Sequence, residues 1–306
     1  MRVSLTFAQQ KQQILDMSQF KHAGVICKPN EPRVEDIMST LVPLLKNEGI
    51  DVSLDSKTAN FPDFKEQQLS REALAEQCDL FIVIGGDGTF LGASRTLVDS
   101  GKPLLGINAG RLGFLVDLSP EQISAEIKPI LAGKYHLENR ILLQASIYRG
   151  GEKITTNIAL NDVSLHMRDT IRMIEFDTRI DEQSVHTLRA DGLIVSSPTG
   201  STAYSLSAGG PVLHPELEVL LVSPICPHTL SSRPIVIKGD SVVEINLVPE
   251  CEVAAVVSFD GQQTANIEPS DILRIERLEK TLQVIHPFDY DYYQLLRNKL
   301  HWSELP

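Results

Sequence analysis

The stretch Leu80-Phe81-Ile82-Val83-Ile84 constrains the fold more than any other part of the 306-residue chain. An apolar run with no polar alternation is what a strand buried on both faces requires, and such strands belong to parallel sheets covered by helices. The run ends in Gly85-Gly86-Asp87-Gly88-Thr89, and a helical pattern follows near Phe90–Ser100. Ligands of an open parallel sheet bind outside the carboxyl ends of its strands, so this turn is the first candidate site. Successive backbone N–H groups beside a helix N-terminus make a cradle for anions, phosphates above all. The glycines are expected to allow close backbone approach and positive φ.

Around this strand the chain alternates. Ala23–Cys27, Ile50–Leu54 and Pro103–Ile107 read as strands, and Val34–Glu48 and Ser70–Gln77 as helices, the first with Ile37, Leu41, Leu44 and Leu45 at helical spacing and Pro43 inside it. That β-α-β-α-β order predicts a parallel sheet with helices packed on it. After about residue 137 the pattern becomes a series of β-branched, often alternating segments separated by turns: Leu142–Arg149, Lys153–Leu160, Arg172–Ile180, Gly192–Ser196, Val219–Ser223, Pro234–Ile237, Ser241–Val248, Val253–Phe259 and Asp271–Arg277. Asp289–Leu300 reads as a terminal helix. The expected fold class is therefore α/β + β: an N-terminal parallel-sheet α/β domain, a C-terminal all-β, sandwich-like domain, and a terminal helix docked back on the N-terminal domain. The expected boundaries are 1–21 for an N-terminal extension, 22–136, 137–286, and 287–306.

A formal net charge of −12 argues against a nucleic-acid binder, whose footprint would be a basic stripe. It leaves a nucleotide substrate open, because a phosphate site is built locally from N–H groups and a few cations. The four cysteines include no C-x-x-C pair, so neither a zinc site nor a disulfide framework is expected, and reduced thiols suit a cytoplasmic protein. No apolar run reaches the ~18 residues of a membrane span. Residues 1–20, with their Gln9-Gln10-Lys11-Gln12-Gln13 stretch, lack the apolar core of a signal peptide.

Three nucleotide loops compete for Gly85–Thr89. A P-loop needs a Gly-Lys-Ser/Thr that is absent here. The dinucleotide fingerprint has Gly86 and Gly88 but Leu91 in its third glycine position, and the next strand ends at Asn108 rather than at an acidic residue. The third is a kinase loop, in which an Asp among the glycines takes a proton from an attacking hydroxyl or holds a metal ion. Downstream, Gly106-Ile107-Asn108-Ala109-Gly110-Arg111-Leu112-Gly113-Phe114-Leu115 runs from a strand end into a second glycine-rich segment. Two such segments at adjacent strand ends form one crevice, with Phe114 and Leu115 offered as an apolar wall. Asn161-Asp162 fits either an Asx turn or a grip on two ribose hydroxyls. In Arg189–Pro211 a strand leads to Pro198-Thr199-Gly200-Ser201-Thr202, where Ser201 or Thr202 is expected to cap a short helix and gather N–H groups for a phosphate.

Gly85–Thr89 resembles the shared motif of a kinase superfamily containing NAD kinases, diacylglycerol-type lipid kinases and phosphofructokinases. The Gly106–Leu115 segment, the Asn161-Asp162 pair and the Arg189–Pro211 run together resemble the bacterial-type NAD kinases, with matches spread from about residue 80 to 262. The resemblance implies a phosphotransferase that makes NADP from NAD and ATP with a divalent ion, Mg²⁺ being the expected one. It implies Asp87 as the base, with Gly86, Gly88 and Thr89 beside it, and Phe114 and Leu115 lining the dinucleotide pocket. Asn161 and Asp162 would hold a ribose of NAD. Thr199, Thr202, Ala203, Tyr204 and Ser207 would contact the adenine half, Ser205 and Leu206 belonging to the same run, and Asp191 would contact the nicotinamide amide. Arg172, Arg189 and Gln262 are further nucleotide contacts it implies, and family members form dimers or tetramers in which Arg189 and Asp191 would come from a neighbour. His166 and His214 are read as structural. A lipid kinase would demand an apolar acceptor groove and membrane attraction, which the acidity disfavours; a non-catalytic nucleotide sensor would have no need of Asp87.

Overall fold

The computed structural model describes residues 20–57, 68–110, 112–168, 173–248 and 255–302. The chain divides into two compact units, one running to Asn139 and resuming at Leu282, the other spanning Arg140–Thr281.

The first unit contains β1 (His22–Cys27), α1 (Arg33–Asn47), β2 (Asp51–Asp55), β3 (Gln68–Leu69), α2 (Arg71–Gln77), β4 (Leu80–Gly85), α3 (Asp87–Leu97) and β5 (Leu104–Asn108). These strands pair in parallel in the order β3-β2-β1-β4-β5. The order reverses between β1 and β4, so the crevice at their carboxyl ends is the topological switch point where ligands bind. Every residue of β4 is buried. Its side chains alternate between faces: Leu80, Ile82 and Ile84 share an apolar cluster with Ile37, Leu41 and Leu45 of α1 and with Ile123 and Ile127 of α4 (Ile123–Leu131). Phe81 and Val83, equally buried, belong to the other face, on the side of α2 and α3.

Three sequence expectations shift in this unit. The helix expected near Phe90–Ser100 starts at Asp87 and ends at Leu97 in a short 3₁₀ turn. Helix α4 was not foreseen, because Pro120 and Pro129 break the apparent pattern. Pro120 is harmless as the first residue after the Ser119 cap, whose side chain and that of Gln122 form a capping box. Phe20, expected in an extension, is buried and stacks on Tyr135 with ring centroids 6.2 Å apart. The other residues of that expected extension, 1–19, lie outside the described residues.

The second unit is built from β6 (Tyr135–Arg149), which begins in the first unit, β7 (Glu152–Ala159), β8 (Asp162–Met167), β9 (Ile174–Ile180), β10 (Gln183–Ala190), β11 (Gly192–Ser196), the one-turn α5 (Tyr204–Ser207), β12 (Val219–Ile225), β13 (Ile235–Lys238), β14 (Val243–Leu247), β15 (Ala255–Phe259), β16 (Gln263–Ile267) and β17 (Asp271–Pro287). One antiparallel sheet has the order β13-β12-β11-β8-β15-β16; in the other, β10-β9-β14-β17 is joined by the β6–β7 hairpin. Val163, Leu165 and Val257 of the first sheet meet Phe176, Ile245 and Leu273 of the second in one apolar cluster, the layering of a sandwich. Strands β8, β10 and β16 were not read from the sequence; β10 and β16 expose most of their polar residues and carry few apolar ones.

The end of β17 belongs to the first unit, where Val284 and Ile285 pair in parallel with Leu104 and Leu105 of β5. The terminal helix α6 (Tyr292–Leu300) follows, capped by Asp291, whose carboxylate accepts from the N–H groups of Tyr293 and Gln294. It starts three residues later than expected, so Tyr290 precedes it.

Candidate active site

Gly86 is the single residue between β4 and α3, which makes Asp87, Gly88 and Thr89 the first turn of a helix rather than a loop. Gly86 is extended (φ −114°) and has no side chain with which to cap the helix. Positive φ is used by neither Gly85, Gly86 nor Gly88, contrary to expectation. Gly85 is needed for space instead, since the Thr89 side chain occupies the place of a Cβ.

Asp87 is half-buried, and two backbone donors fix its carboxylate. The Phe114 N–H donates to Oδ2 at 3.0 Å and the Leu115 N–H to Oδ1 at 3.0 Å. Gly113 is obligatory here, because any side chain would collide with the Asp87 carboxylate. The second glycine-rich segment therefore closes on Asp87 through its backbone. Leu115 is 2% exposed, so its side chain is no open wall, while Phe114 stays partly exposed with Lys299 Nζ 5.5 Å from its ring centroid.

A cavity of about 610 Å³ opens at the switch point. The first turns of α3 line it through Gly86, Gly88 and Thr89, and Lys28, Lys57 and Arg71 bring positive charge to it. Arg71 is itself held by the buried Asp55, its Nε 3.1 Å from Oδ2. The helix N-terminus and these cations, set against Asp55 and Glu72 in the same lining and with Lys28 paired to Glu31, make the cavity a candidate anion site of polyphosphate size. Lys28, Lys57 and Arg71 were missed in the sequence because they are scattered over three elements with no common spacing.

A second cavity, of about 640 Å³, lies wholly in the other unit and brings together Asn161, Asp162, Asp191, Ala203 and Tyr204. Its floor is organised by Asp260, which the sequence reading passed over in favour of Gln262. Asp260 and Gly261 both adopt left-handed backbone (φ 52° and 64°) at the tip of the β15–β16 hairpin. The Asp260 carboxylate accepts from the N–H groups of Leu160 (3.1 Å), Asn161 (2.7 Å) and Asp162 (3.3 Å). Gly200 packs against the Asn161 carbonyl so closely that no Cβ fits. The Asn161 Oδ1 is buried with no hydrogen-bond partner, an acceptor facing a missing donor. Burial, reinforced by the Asp260 charge, pushes the Asp162 carboxyl up to about 7.

The Thr199–Ser207 run departs from the expected capped helix. Thr199–Thr202 is a 3₁₀ turn and α5 starts at Tyr204 without a side-chain cap. Ser201 donates to Pro198 O and accepts from Leu213 N, Thr202 donates to Thr199 O, and Ser205 bonds Ser223, so these hydroxyls are spent locally. Thr199 Oγ1 accepts from Arg140 at 3.3 Å. Tyr204 is 44% exposed and presents its ring at the cavity, and Ser207 is exposed while Leu206 is half-buried. Arg189 projects from β10, 3.7 Å from Glu175, and does not line the cavity; Gln262 sits exposed in the hairpin turn. Arg172 lies outside the described residues. His166 lines the cavity, with Nδ1 3.0 Å from Met167 O, and His214 accepts from Glu216 N at 3.3 Å. Among the described residues no group of three or more His, Cys, Asp or Glu converges as a resident metal would need.

A fixed carboxylate at a helix N-terminus, next to a polyphosphate-sized cavity at a switch point that Lys28, Lys57 and Arg71 help to line, is the equipment of a phosphotransferase. Family models for the ATP-NAD kinase N-terminal domain match residues 23–135, and those for the ATP-NAD kinase C-terminal domain match residues 160–287. The chain belongs to the NAD kinase family, the transferases that phosphorylate NAD to NADP at the expense of ATP. It is 43% identical to the NAD kinase of Saccharophagus degradans and 45% identical to that of Ectopseudomonas mendocina, each alignment covering 94% of this chain and 98% of the relative. Among solved structures it resembles an NAD kinase from Archaeoglobus fulgidus in complex with ATP (TM-score 0.72, 28% identity, 92% of this chain and 98% of that one). The yeast NADH kinase complexed with NADH shares the fold (TM-score 0.83, 22% identity, 94% and 90%). Phosphotransferases of this family generally depend on a divalent metal ion. No helix among the described residues is long and apolar enough to cross a membrane.

Proposed function

We propose that this chain transfers the γ-phosphate of ATP to the 2′-hydroxyl of the adenosine ribose of NAD with Asp87 as general base. The observation that carries the assignment is the pair of N–H bonds aiming the Asp87 carboxylate at the start of α3. Each carboxylate oxygen keeps lone pairs beyond the one bonded, enough to take the hydroxyl proton as the ribose oxygen forms its bond to phosphorus. The bond from the γ-phosphorus to the bridging oxygen breaks, and ADP leaves with that electron pair. Such transfer needs positioning and charge neutralisation more than covalent chemistry.

The triphosphate is assigned to the switch-point cavity, where α3, Lys28, Lys57 and Arg71 supply positive potential. The divalent ion, Mg²⁺ in our assignment, travels with the phosphates as part of the donor. Asn161 and Asp162 are assigned to the acceptor's ribose, the unpartnered Asn161 Oδ1 accepting from one hydroxyl. Tyr204 offers a ring to the adenine, with Thr199, Thr202, Ala203 and Ser207 around it, and Asp191 is assigned to the nicotinamide amide. The chain is taken to act in the cytoplasm as a homodimer or homotetramer, exposed Arg189 and partly buried Asp191 being offered to a neighbouring subunit.

NADP formed from ATP, Mg²⁺ and NAD, read with an NADP-specific dehydrogenase, tests the base. Asp87→Asn should bind NAD as before and lose about 10²–10⁴-fold in kcat. Wild-type turnover in that variant rejects the assignment.

A further inference from the structure

Asp87 is held by the segment 112–117, and that segment is held in turn by the far end of the chain. Two contacts do this. At the downstream end, Asp117 Oδ2 lies 2.8 Å from Nδ1 of His286, the penultimate residue of β17. The other ring nitrogen, Nε2, lies 3.0 Å from Glu138 Oε2. An imidazole facing carboxylates on both nitrogens can donate to both only as the imidazolium. The ring is fully buried and stacks on Tyr290 at 4.0 Å, 13° from parallel, which fixes its plane. At the upstream end, Lys299 of α6 donates from Nζ to Leu112 O and sits over the Phe114 ring. The two N–H donors to Asp87, on Phe114 and Leu115, lie between these anchors.

We propose that His286 and Lys299 are positioning residues for phosphoryl transfer, setting the Asp87 carboxylate through the segment 112–117. The inference rests on the reading of Asp87 as the base. Neither side chain touches Asp87, and all the groups named lie in the first unit. If either anchor is lost, the Phe114 and Leu115 N–H groups can drift from 3.0 Å, and the carboxylate then loses its aim. A misplacement of about 1 Å at a reacting group can cost ~10²-fold in rate. The role also accounts for the end of the chain: β17 continues to His286, and α6 is placed to deliver Lys299.

Steady-state kinetics on the full chain with ATP, Mg²⁺ and NAD provide the test. Lys299→Met and His286→Gln should each lower kcat by roughly 10- to 100-fold while the KM for NAD stays within about twofold, the pattern of lost transition-state positioning. Lys299→Arg, which restores a charged donor, should recover most of the kcat. In an Asp87→Asn background either substitution should cost less than about twofold more, because the route ends at Asp87. Loss of packing alone would multiply with Asp87→Asn and would not be rescued by arginine, and either result overturns the proposal. Where His286→Gln fails to fold by circular dichroism, half-buried Lys299 carries the test. Wild-type kcat in Lys299→Met with Asp87→Asn inactive overturns the positioning role; wild-type turnover in Asp87→Asn overturns the base reading instead.

Discussion

Asp162 and Asp260 stand at the joined ends of β8 and β15 in the second unit, and their surroundings give them different tasks. Asp260 binds three successive N–H groups and works as a clasp. Asp162, at the start of β8, is buried beside that negative charge, and its carboxyl is pushed up to about 7, first by burial and then by Asp260. Its value in the folded chain lies above that of an unfolded aspartate, about 3.9. The folded state therefore favours the protonated form, and ionisation destabilises the fold increasingly as pH rises from about 4 through 7. Asp162→Asn removes that ionisation. The variant should melt at a higher temperature than wild type at pH 8–9, with the gain shrinking towards pH 5. On the proposed assignment of Asp162 to the ribose, the substitution should also weaken NAD binding by ~10–100-fold, the equivalent of about 1.5–3 kcal/mol. Calorimetry and NAD titration check both halves; an equal gain at pH 5 and pH 9 would contradict the burial account.

At the scale of elements, the end of β17 is joined to its unit by an ion cluster whose stability follows pH. Burial alone would lower the His286 pKa, but Asp117 and Glu138 outweigh it and raise it to about 9. A histidine raised above its unfolded value of about 6.5 contributes fully below that pH and loses its contribution as pH rises through the folded value. Thermal melts from pH 7 to 10 should therefore fall through about pH 9, and His286→Gln should flatten that fall; an unchanged slope would remove His286 from the account. Elements of this kind are hard to read from sequence. The buried strands β1, β4 and β5 were legible because continuous apolar runs leave one interpretation. So was α1, whose leucines keep helical spacing through Pro43. Helix α4 was hidden by its prolines. Strand β10 was hidden because Gln183, Ser184, Val185, Thr187 and Arg189 are all exposed, with little apolar alternation to betray it. The start of α3 was misplaced because two glycines suggest a loop, whereas one suffices to turn the chain.

For the molecule as a whole, each unit carries its own apolar cluster. The cavity assigned to NAD is lined by residues of Arg140–Thr281 alone. NAD at about 100 times its Kd stabilises what it binds by ~2.7 kcal/mol, which slows exchange from fully opened states about a hundredfold. Hydrogen exchange should show that protection in β8, residues 160–162 and residues 199–207, and little in α1 or β2; protection confined to α1 and β2 would misplace the acceptor. The site itself was partly legible. Asp87, Asn161 and Tyr204 stand in motifs, whereas Asp260, Lys28 and Arg71 act through contacts that no spacing announces. Two hairpin tips make the difference plain. Gly150-Gly151 and Asp260-Gly261 are both left-handed turns and look equally dispensable on paper. The first only reverses the chain, so a peptide tag or a circular-permutation break belongs there. At the second, the aspartate of the tip reaches three amides of another strand junction, and cutting or lengthening the turn would undo the proposed grip on the ribose while leaving the strands on either side intact.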